Sequence, residues 1–300
     1  MAPIFATEPV SVRTPATSAN LGPGFDALGL ALTLYDDLTA RVTPGGFTVT
    51  VTGEGAGELP GDESHLVLRA MLATFDEIGE RPPGLAVECV NRIPQARGLG
   101  SSSAAIVGGV QLARGLVAND LGHEDALRIA ARLEGHPDNV APCLLGGFTI
   151  AWTEGPGARA VKLAAARGVH PTVFIPAERG YTASARAALP SAVPHVDASF
   201  NSGRAALLTH ALTSDPSLLL PATEDRLHQG YRAEAMPGTA SLVASLRSVG
   251  VAAVVSGAGP SVLALTEVPA DFHPGTAWRA ESLGVDGAGA LVKGSMVELA

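Results

Sequence analysis

A glycine- and serine-rich segment at residues 94–105 constrains this chain more than any other feature. It lies between an alternating, strand-like run at 85–91 and a small, apolar, proline-free run at 101–116. The second run predicts a helix that begins at the serines. A helix N-terminus presents unpaired N–H groups and the positive end of the helix dipole, and Gly98 and Gly100 allow a bulky anion to approach them. The segment therefore predicts a phosphate-binding loop.

The better-known phosphate-binding motifs do not match this loop. A Walker A loop requires a lysine before its last hydroxyl residue, but the lysines of this chain are Lys162 and Lys293. A dinucleotide-binding fingerprint requires a third glycine where Ser103 stands. The segment alone also fits a tight turn that caps a helix, so its function has to be judged with the rest of the chain.

The composition favours a protein that binds a small ligand. The chain has 300 residues, of which 46% are hydrophobic, and a net charge of −9 without a cluster of Lys or Arg. Such a charge argues against a general nucleic-acid binder. Cys89 and Cys143 lack metal-ligand spacing and favour a reducing compartment. Without a leader-like N-terminus or an apolar run of about 18 residues, we expect a cytoplasmic protein that binds neither nucleic acid nor membrane.

Hydrophobic periodicity predicts the strands and helices. The predicted strands are 10–14, 28–42, 47–51, 85–91, 171–175, 251–255 and 261–265. The predicted helices are 101–116, 123–133, 182–189, 199–213, 238–249 and one that is capped by Ser64 and places Leu68, Met71, Leu72 and Phe75 on one face. A loop rich in glycine and charge at 153–159 predicts a domain boundary just after it, giving domains 1–165 and 166–300.

Three segments concentrate polar residues and glycine between these elements. Residues 15–26 are rich in turn formers and place Asn20 and Asp26 on irregular backbone. Residues 134–140 bring four polar side chains before an apolar run, and residues 257–260 connect two strands. Loops of this kind commonly carry binding sites.

Each candidate side chain also has a purely structural interpretation. Glu134 fits a solvated carboxylate at a helix end, and His136 and Asp138 fit turn-forming residues. Arg186 and Arg232 fit surface cations, the second in an ion pair with an acidic neighbour. The residues alone leave both interpretations open.

Three segments resemble, in order, the motifs of the GHMP kinases, a family named after galactokinase, homoserine kinase, mevalonate kinase and phosphomevalonate kinase. They are residues 15–29, 94–105 and 255–261, and the resemblance runs over nearly the whole chain. Residues 15–29 and 134–143 are most similar to the homoserine kinases. The resemblance implies an α+β fold with an N-terminal mixed α/β domain and a C-terminal ferredoxin-like domain of βαββαβ type. It also implies an active site in the cleft between them.

The resemblance further implies an enzyme that uses ATP and Mg²⁺ to phosphorylate the side-chain hydroxyl of L-homoserine, a step of threonine biosynthesis. Another substrate of the family, such as mevalonate or a sugar, is the nearest alternative. Those branches commonly use an Asp and a Lys near the acceptor hydroxyl, and this chain has no lysine before Lys162, which favours homoserine. Whether the enzyme is a homodimer stays open.

Matched residue by residue, the resemblance implies roles for the site. It implies that residues 98–103 wrap the phosphates of ATP, within a nucleotide-binding loop formed by Pro94, Gln95, Ala96, Arg97, Gly98, Leu99, Gly100, Ser101, Ser102, Ser103, Ala104 and Ala105. The substrate contacts Asn20, Asp26, His136, Asn139, Arg186, Arg232, Gly257 and Gly259. The residues nearest the chemistry are Asn20, Asn139, Thr182 and Glu134.

Two positions in this assignment have particular consequences. Mg²⁺ is assigned to Ser102 and Glu134, while the additional Ser103 leaves open which serine serves the metal. Thr182 stands where other branches have a catalytic Asp, and a neutral threonine cannot take a proton near neutral pH. We therefore expect no side chain that acts as an obligatory strong base.

Two other classes of function remain open. Residues 100–104 nearly form the nucleophile elbow of a serine hydrolase, with Ser102 as nucleophile and Asp138 plus His195 or His228 completing a triad. The final alanine of that segment departs from the motif. A non-catalytic sensor of ATP would keep the same phosphate-binding loop.

Overall fold

The structure is a computed structural model that describes residues 5–117, 119, 121–155 and 157–294. The elements of its first half are β1 (Val10–Ala19), β2 (Leu28–Val42), β3 (Gly46–Gly53), α1 (Leu66–Ile78), β4 (Gly84–Asn91), α2 (Ser101–Leu116), α3 (His123–Glu134), α4 (Pro137–Leu145), β5 (Phe148–Glu154) and β6 (Gly157–Leu163). Those of its second half are β7 (Thr172–Pro176), α5 (Thr182–Ala187), α6 (His195–Thr213), α7 (Leu219–Ala222), α8 (Gln229–Arg232), α9 (Pro237–Ser248), β8 (Ala253–Val255), β9 (Val262–Ala264), β10 (Trp278–Ser282) and β11 (Leu291–Lys293).

A mixed seven-stranded sheet supports the N-terminal half. Its strands follow the order β11-β1-β2-β4-β3, while β5 pairs with β2 and β6 pairs with β5. β3 and β4 run parallel, and β1 runs antiparallel to β2. Helix α2 packs against both β1 and α1. It approaches α1 closely because Gly109 has no side chain. A Cβ atom there would lie 2.4 Å from the carbonyl oxygen of Val67. This packing fixes the helix that follows the phosphate-binding loop.

A four-stranded antiparallel sheet forms the centre of the C-terminal half. Its order, β10-β7-β9-β8, is that of a ferredoxin-like sheet. Alternation along β7 sends Val173 and Ile175 towards the core shared with α6, and Phe174 towards the core shared with α9. The connection at 266–277 contains no helix, so the second crossover helix of the expected βαββαβ pattern is missing there. Two prolines and a glycine in this connection oppose helix formation.

The chain returns to the first sheet at its C-terminal end. β11 pairs antiparallel with β1, with Val12 opposite Val292. Before it, the N–H group of Asp286 donates to the carbonyl of Ala31 at 3.0 Å. The division at residues 165/166 stays a prediction, and residues 284–286 and 291–293 contact the sheet of the N-terminal half.

Parts of three segments that were predicted as loops, 15–26, 134–140 and 153–159, prove to be regular structure. Residues 15–19 continue β1, whose register against β2 shifts at Pro15, and such irregularities are where a strand tolerates proline. The predicted loop at 153–159 belongs largely to β5 and β6, which pair as a hairpin. Residues 137–145 form α4, because Pro137 occupies the first turn, where a missing N–H group costs no hydrogen bond.

Helix α1 is capped by a different residue from the predicted one. The side chain of His65 accepts a hydrogen bond from the N–H group of Val67 at 3.3 Å. The hydroxyl of Ser64 donates instead to Asp62 at 2.6 Å. The predicted apolar face of α1 is nonetheless directed inward, with Leu68, Met71 and Phe75 buried.

Two further observations concern the helices and the cysteines. Among the residues that the structure describes, no helix combines the length and apolar character needed to cross a bilayer. Cys89 and Cys143 are both buried and both free.

Candidate active site

A cleft between the two halves brings the candidate residues together. It has a volume of about 440 Å³ and is lined by the phosphate-binding loop, by residues from 59–67, and by residues from 180–186 and 257–259. Its apolar wall consists mainly of Leu38, Leu59, Pro60, Leu66 and Val67. Its polar wall includes Asn20, Asp26, His136, Asp138, Asn139, Thr182, Arg186 and Arg232. The cleft thus combines an apolar compartment and a charged one beside a single loop.

The backbone of the phosphate-binding loop is shaped by left-handed residues. Gly98 and Gly100 have φ angles of 74° and 72°. Helix α2 begins at Ser101, as predicted, and its N-cap residue supplies no side-chain hydrogen bond. The N–H groups of the first turn therefore remain free of a side-chain cap at the point where Ser101 and Ser102 line the cleft. This arrangement suits an anionic ligand.

The connection at 257–260 packs tightly against the phosphate-binding loop. A Cβ atom on Gly98 would lie 2.1 Å from the carbonyl oxygen of Ser256. The hydroxyl of Ser256 donates to the carbonyl of Gly98 at 2.7 Å, and the N–H group of Ser261 donates to Arg97 at 3.2 Å. The C-terminal half therefore holds the loop in place.

Two serines of α2 meet the carboxylate of Glu134. The hydroxyls of Ser102 and Ser103 donate to the same oxygen, Oε1, at 2.7 Å and 3.0 Å. Glu134 is the last residue of α3, where the helix dipole disfavours a negative charge. Helix stability therefore does not explain a carboxylate at this position. Ser103 is fully buried, whereas Ser102 and Glu134 line the cleft.

The amides of Asn20 and Asn139 are held by backbone and side-chain partners. Asn20 has a positive φ of 67° and is 5% exposed. Its amide donates to the carbonyl of Gly257 at 2.8 Å and accepts from the N–H group of Asp26 at 3.0 Å. The hydroxyl of Thr17 donates to Asn139 Oδ1 at 2.8 Å. These contacts fix both amides beside the cleft.

Three charged groups from distant parts of the chain converge on the cleft. The guanidinium of Arg186 donates two hydrogen bonds to the carboxylate of Asp26, at 2.9 Å and 2.7 Å. This pairing raises the pKa of Arg186. Arg232 is only 2% exposed, so its interpretation as a surface cation is wrong. Burial, and secondly the charge of Arg186, lowers the pKa of Arg232.

His136 and Thr182 also reach the cleft. His136 Nδ1 lies 2.6 Å from Oδ1 of the buried Asp138, and this hydrogen bond raises the pKa of His136. Thr182 is the exposed first residue of α5. Every residue that the motifs predicted for the substrate thus has a place in or beside this cleft, while its role stays a prediction.

Asp36 and His65 are two buried, ionisable residues of the cleft that were not predicted. Asp36 is 4% exposed, and its Oδ1 accepts the N–H groups of Arg92 and Ile93, which lead into the phosphate-binding loop, at 2.6 Å and 2.9 Å. Burial raises the pKa of Asp36 to about 6. His65, the cap of α1, is the second. An acidic residue on the apolar face of a long strand was the available signal for Asp36.

The serine hydrolase triad is not assembled. The hydroxyl of Ser102 donates to Glu134 and not to an imidazole. Asp138 pairs with His136, and His195 is exposed at the start of α6. His228, the other candidate, bonds to Arg232 and to the carbonyl of Gly22. A triad of this composition therefore does not exist in the structure.

Comparison with known proteins agrees with this geometry. The family model "GHMP kinases N terminal domain" matches residues 65–147, and "GHMP kinases C terminal" matches residues 204–272. A homoserine kinase of Streptomyces coelicolor is 53% identical over 97% of this chain and 96% of its own length. One of Streptomyces avermitilis is 54% identical over 97% of both.

Solved structures show the same architecture. The crystal structure of homoserine kinase from Cytophaga hutchinsonii has a TM-score of 0.82 and 28% identity, covering 95% of this chain and 97% of that one. L. major mevalonate kinase, at 14% identity and a TM-score of 0.69 over 96% of both chains, shares the fold. Because relatives more than half identical span almost its entire length, the chain belongs to the GHMP kinase family, in its homoserine kinase branch.

Proposed function

We propose that this protein transfers the γ-phosphoryl group of ATP to the side-chain hydroxyl of L-homoserine and releases ADP and O-phospho-L-homoserine. The observation that carries the proposal is that the phosphate-binding loop and a set of paired charges open into one cleft. The near full-length similarity to homoserine kinases supports the choice of substrate. The product would serve threonine biosynthesis.

The proposed metal ligands are Ser102 and Glu134. Their hydroxyl and carboxylate oxygens are hard ligands that suit Mg²⁺. Among the described residues, no group of three or more His, Cys, Asp or Glu side chains could hold a metal alone. This fits Mg²⁺, which commonly binds through one or two carboxylates together with substrate phosphates and water. When bound with ATP, the ion neutralises negative charge on the phosphate oxygens.

The polar wall of the cleft, which is also its charged wall, fits a zwitterion. Homoserine presents a carboxylate and an ammonium group on one carbon atom, and the wall presents Arg186 and Arg232 near Asp26. We assign the arginines to the carboxylate and Asp26 to the ammonium group, since guanidinium groups pair bidentately with carboxylates. Mevalonate has no ammonium group, and a sugar has neither charge. Asp26 and Arg186 would exchange part of their mutual pairing for the two charges of the substrate.

Positioning carries most of the proposed catalysis. Phosphoryl transfer through a loose transition state needs little activation of the nucleophile. Asn139, held by Thr17, orients the hydroxyl, and Thr182 can donate or accept a hydrogen bond without taking the proton. Oriented binding and neutralised charge then supply the acceleration, and the proton leaves late, to a phosphate oxygen.

An assay of ADP release across three acceptors tests the proposed function. The purified protein is incubated with ATP and Mg²⁺ and with homoserine, mevalonate or galactose. We expect ADP release that depends on homoserine, with phosphohomoserine identified by mass. Turnover that is faster with mevalonate or galactose would move the enzyme to another branch of the family. Binding of ATP without turnover of any acceptor would favour a sensor.

A further inference from the structure

A fully buried histidine lies behind the charged wall of the cleft. His228 has no exposed surface. Its Nδ1 atom is 3.0 Å from Nη1 of Arg232, and its Nε2 atom is 2.8 Å from the carbonyl oxygen of Gly22. One imidazole therefore joins an arginine of the cleft to the loop between β1 and β2.

These two partners determine the tautomer of the imidazole. The guanidinium of Arg232 can only donate, so Nδ1 has to be the acceptor. The carbonyl of Gly22 can only accept, so Nε2 has to carry the proton. His228 is therefore neutral with its proton on Nε2. Burial lowers the pKa of His228, which keeps it neutral beside the arginine.

The neighbouring carboxylate does not compete for this imidazole. Asp225 Oδ2 lies 3.7 Å from His228 Nε2. Its oxygens instead accept the N–H groups of Leu227, His228 and Gln229, at 2.9 Å, 3.1 Å and 2.7 Å. Asp225 thus caps the turn that begins α8, and the imidazole is left to its two partners.

An aromatic ring completes the support of the arginines. The ring of Phe25 stacks on His228 with centroids 5.0 Å apart. The guanidinium carbons of Arg186 and Arg232 lie 5.8 Å and 5.5 Å from the centroid of the same ring. Phe25 precedes Asp26, so the support of the arginines and the acidic partner of the substrate belong to one loop.

The remaining donors of Arg232 are only partly used. Its Nε atom donates to the carbonyl of Ala185 at 3.0 Å, next to Arg186. Together with the bond to His228, this contact leaves the orientation of the guanidinium fully specified. Without the imidazole, a buried cation would lose an acceptor, and such groups reorient or draw in water.

We propose that His228 is a positioning residue, which aims Arg232 at the carboxylate of the substrate and fixes its distance from the loop that carries Asp26. The inference rests on the proposed function for the identity of the amino acid. It makes recognition of the carboxylate depend on an acceptor at Nδ1, without contact between His228 and the substrate. Phosphate binding at the loop 94–105 should not depend on His228.

Two variants separate this role from a general structural one. His228→Leu removes both hydrogen bonds. His228→Asn keeps an oxygen acceptor near the position of Nδ1 and loses the reach to Gly22. Dissociation constants are measured by calorimetry with ADP present, for homoserine and for 3-aminopropan-1-ol, which is homoserine without its carboxylate. His210→Gln, an exposed histidine of α6, is the matched control.

We expect His228→Leu to weaken homoserine binding about tenfold, as a lost hydrogen bond to a charged group does, while 3-aminopropan-1-ol and ADP change less than twofold. His228→Asn should recover most of the affinity for homoserine, and His210→Gln should match the wild type. Equal weakening of both amino alcohols, or equal effects of Leu and Asn, would overturn the proposal.

The design keeps the test informative in two difficult cases. If His228→Leu does not fold, His228→Gln replaces it, because its longer amide reaches towards Gly22 and leaves Nδ1 without a substitute. If the wild type binds homoserine but releases no ADP, the proposed function fails while the binding comparison still decides the role of His228.

Discussion

The phosphate-binding loop and the charged wall of the cleft are built in different ways. The loop is one contiguous segment, 94–105, and offers mainly backbone N–H groups at the start of α2. The charged wall is assembled from side chains of four separate segments, with Asp26 and Arg186 joined across 160 positions of the chain. The phosphate-binding loop depends on backbone conformation, whereas the charged wall depends on which charged side chains the fold brings together. Substitutions should therefore affect them differently.

The largest effect is expected at Gly98, where the backbone of the loop is packed closely against Ser256. Gly98→Ala places a Cβ atom at a positive φ, 2.1 Å from the backbone oxygen of Ser256. We expect a loss of about 4 kcal/mol in the free energy of unfolding and little remaining activity. Urea unfolding of the wild type and of Gly98→Ala measures this difference.

Gly45→Ala is the matched control for this substitution, because a Cβ atom there meets no atom within 4 Å. Its free energy of unfolding should stay within about 0.5 kcal/mol of the wild type. If Gly98→Ala were equally mild, the packing of the phosphate-binding loop would be looser than described.

A pH-dependent effect is expected from Asp36, on the apolar side of the cleft. Its pKa is raised to about 6, so the folded protein holds this proton more tightly than the unfolded chain. The unfolding free energy should therefore fall as the pH rises from about 4 to about 6, by up to about 3 kcal/mol from this group.

Asp36→Asn should remove that part of the pH dependence, since the amide keeps the Oδ1 acceptor of Arg92 and Ile93 without titrating. The difference in unfolding free energy between the two proteins is measured at pH 4, 5, 6 and 7. A difference that does not change with pH would show that the carboxylate is not perturbed.

Replacing Glu134 should reduce turnover more than it weakens the binding of homoserine. Glu134→Gln keeps the shape of the side chain but removes the charge that suits Mg²⁺. We expect kcat to fall about 10²-fold, with the KM for homoserine changed little. Glu88→Gln, at an exposed position of β4, is the control. Turnover within a few-fold of the wild type at limiting Mg²⁺ would exclude the metal assignment.

The smallest effect of the series is expected for Arg186→Lys. An ammonium group keeps the charge but cannot reproduce the bidentate pairing of a guanidinium. We expect the KM for homoserine to rise about tenfold, which is about 1.4 kcal/mol, and that for 3-aminopropan-1-ol to change less. Equal changes for both compounds would argue against the arginine as a carboxylate ligand.

Local signals explain why the loop at 94–105 and the helix after it could be predicted. Helix α2 begins at Ser101 as the glycines and serines indicated, and β2 spans Leu28–Val42 as its alternation indicated. Helix α4 was missed because Pro137 and Pro142 are usually signs of helix breaks, although the first occupies a favourable first-turn position.

Tertiary contacts explain what could not be predicted. The bond between Asp26 and Arg186, and the burial of Arg232, arise only when α5 and α8 are placed against the first loop. Motif resemblance named these residues, but not their mutual contacts. The return of β11 to β1 likewise depends on the finished sheet, because three residues are too short to show a period.

We propose that the charged wall selects the substrate, and that positioning, rather than a side-chain base, drives phosphoryl transfer. Rapid-quench measurement of a single turnover in Asp26→Asn, with homoserine saturating, separates these two roles of the site. If Asp26 binds the ammonium group, the KM rises and the single-turnover rate stays within a few-fold of the wild type. A fall in that rate of roughly 10² to 10⁴ would identify Asp26 as a base and exclude the base-free mechanism.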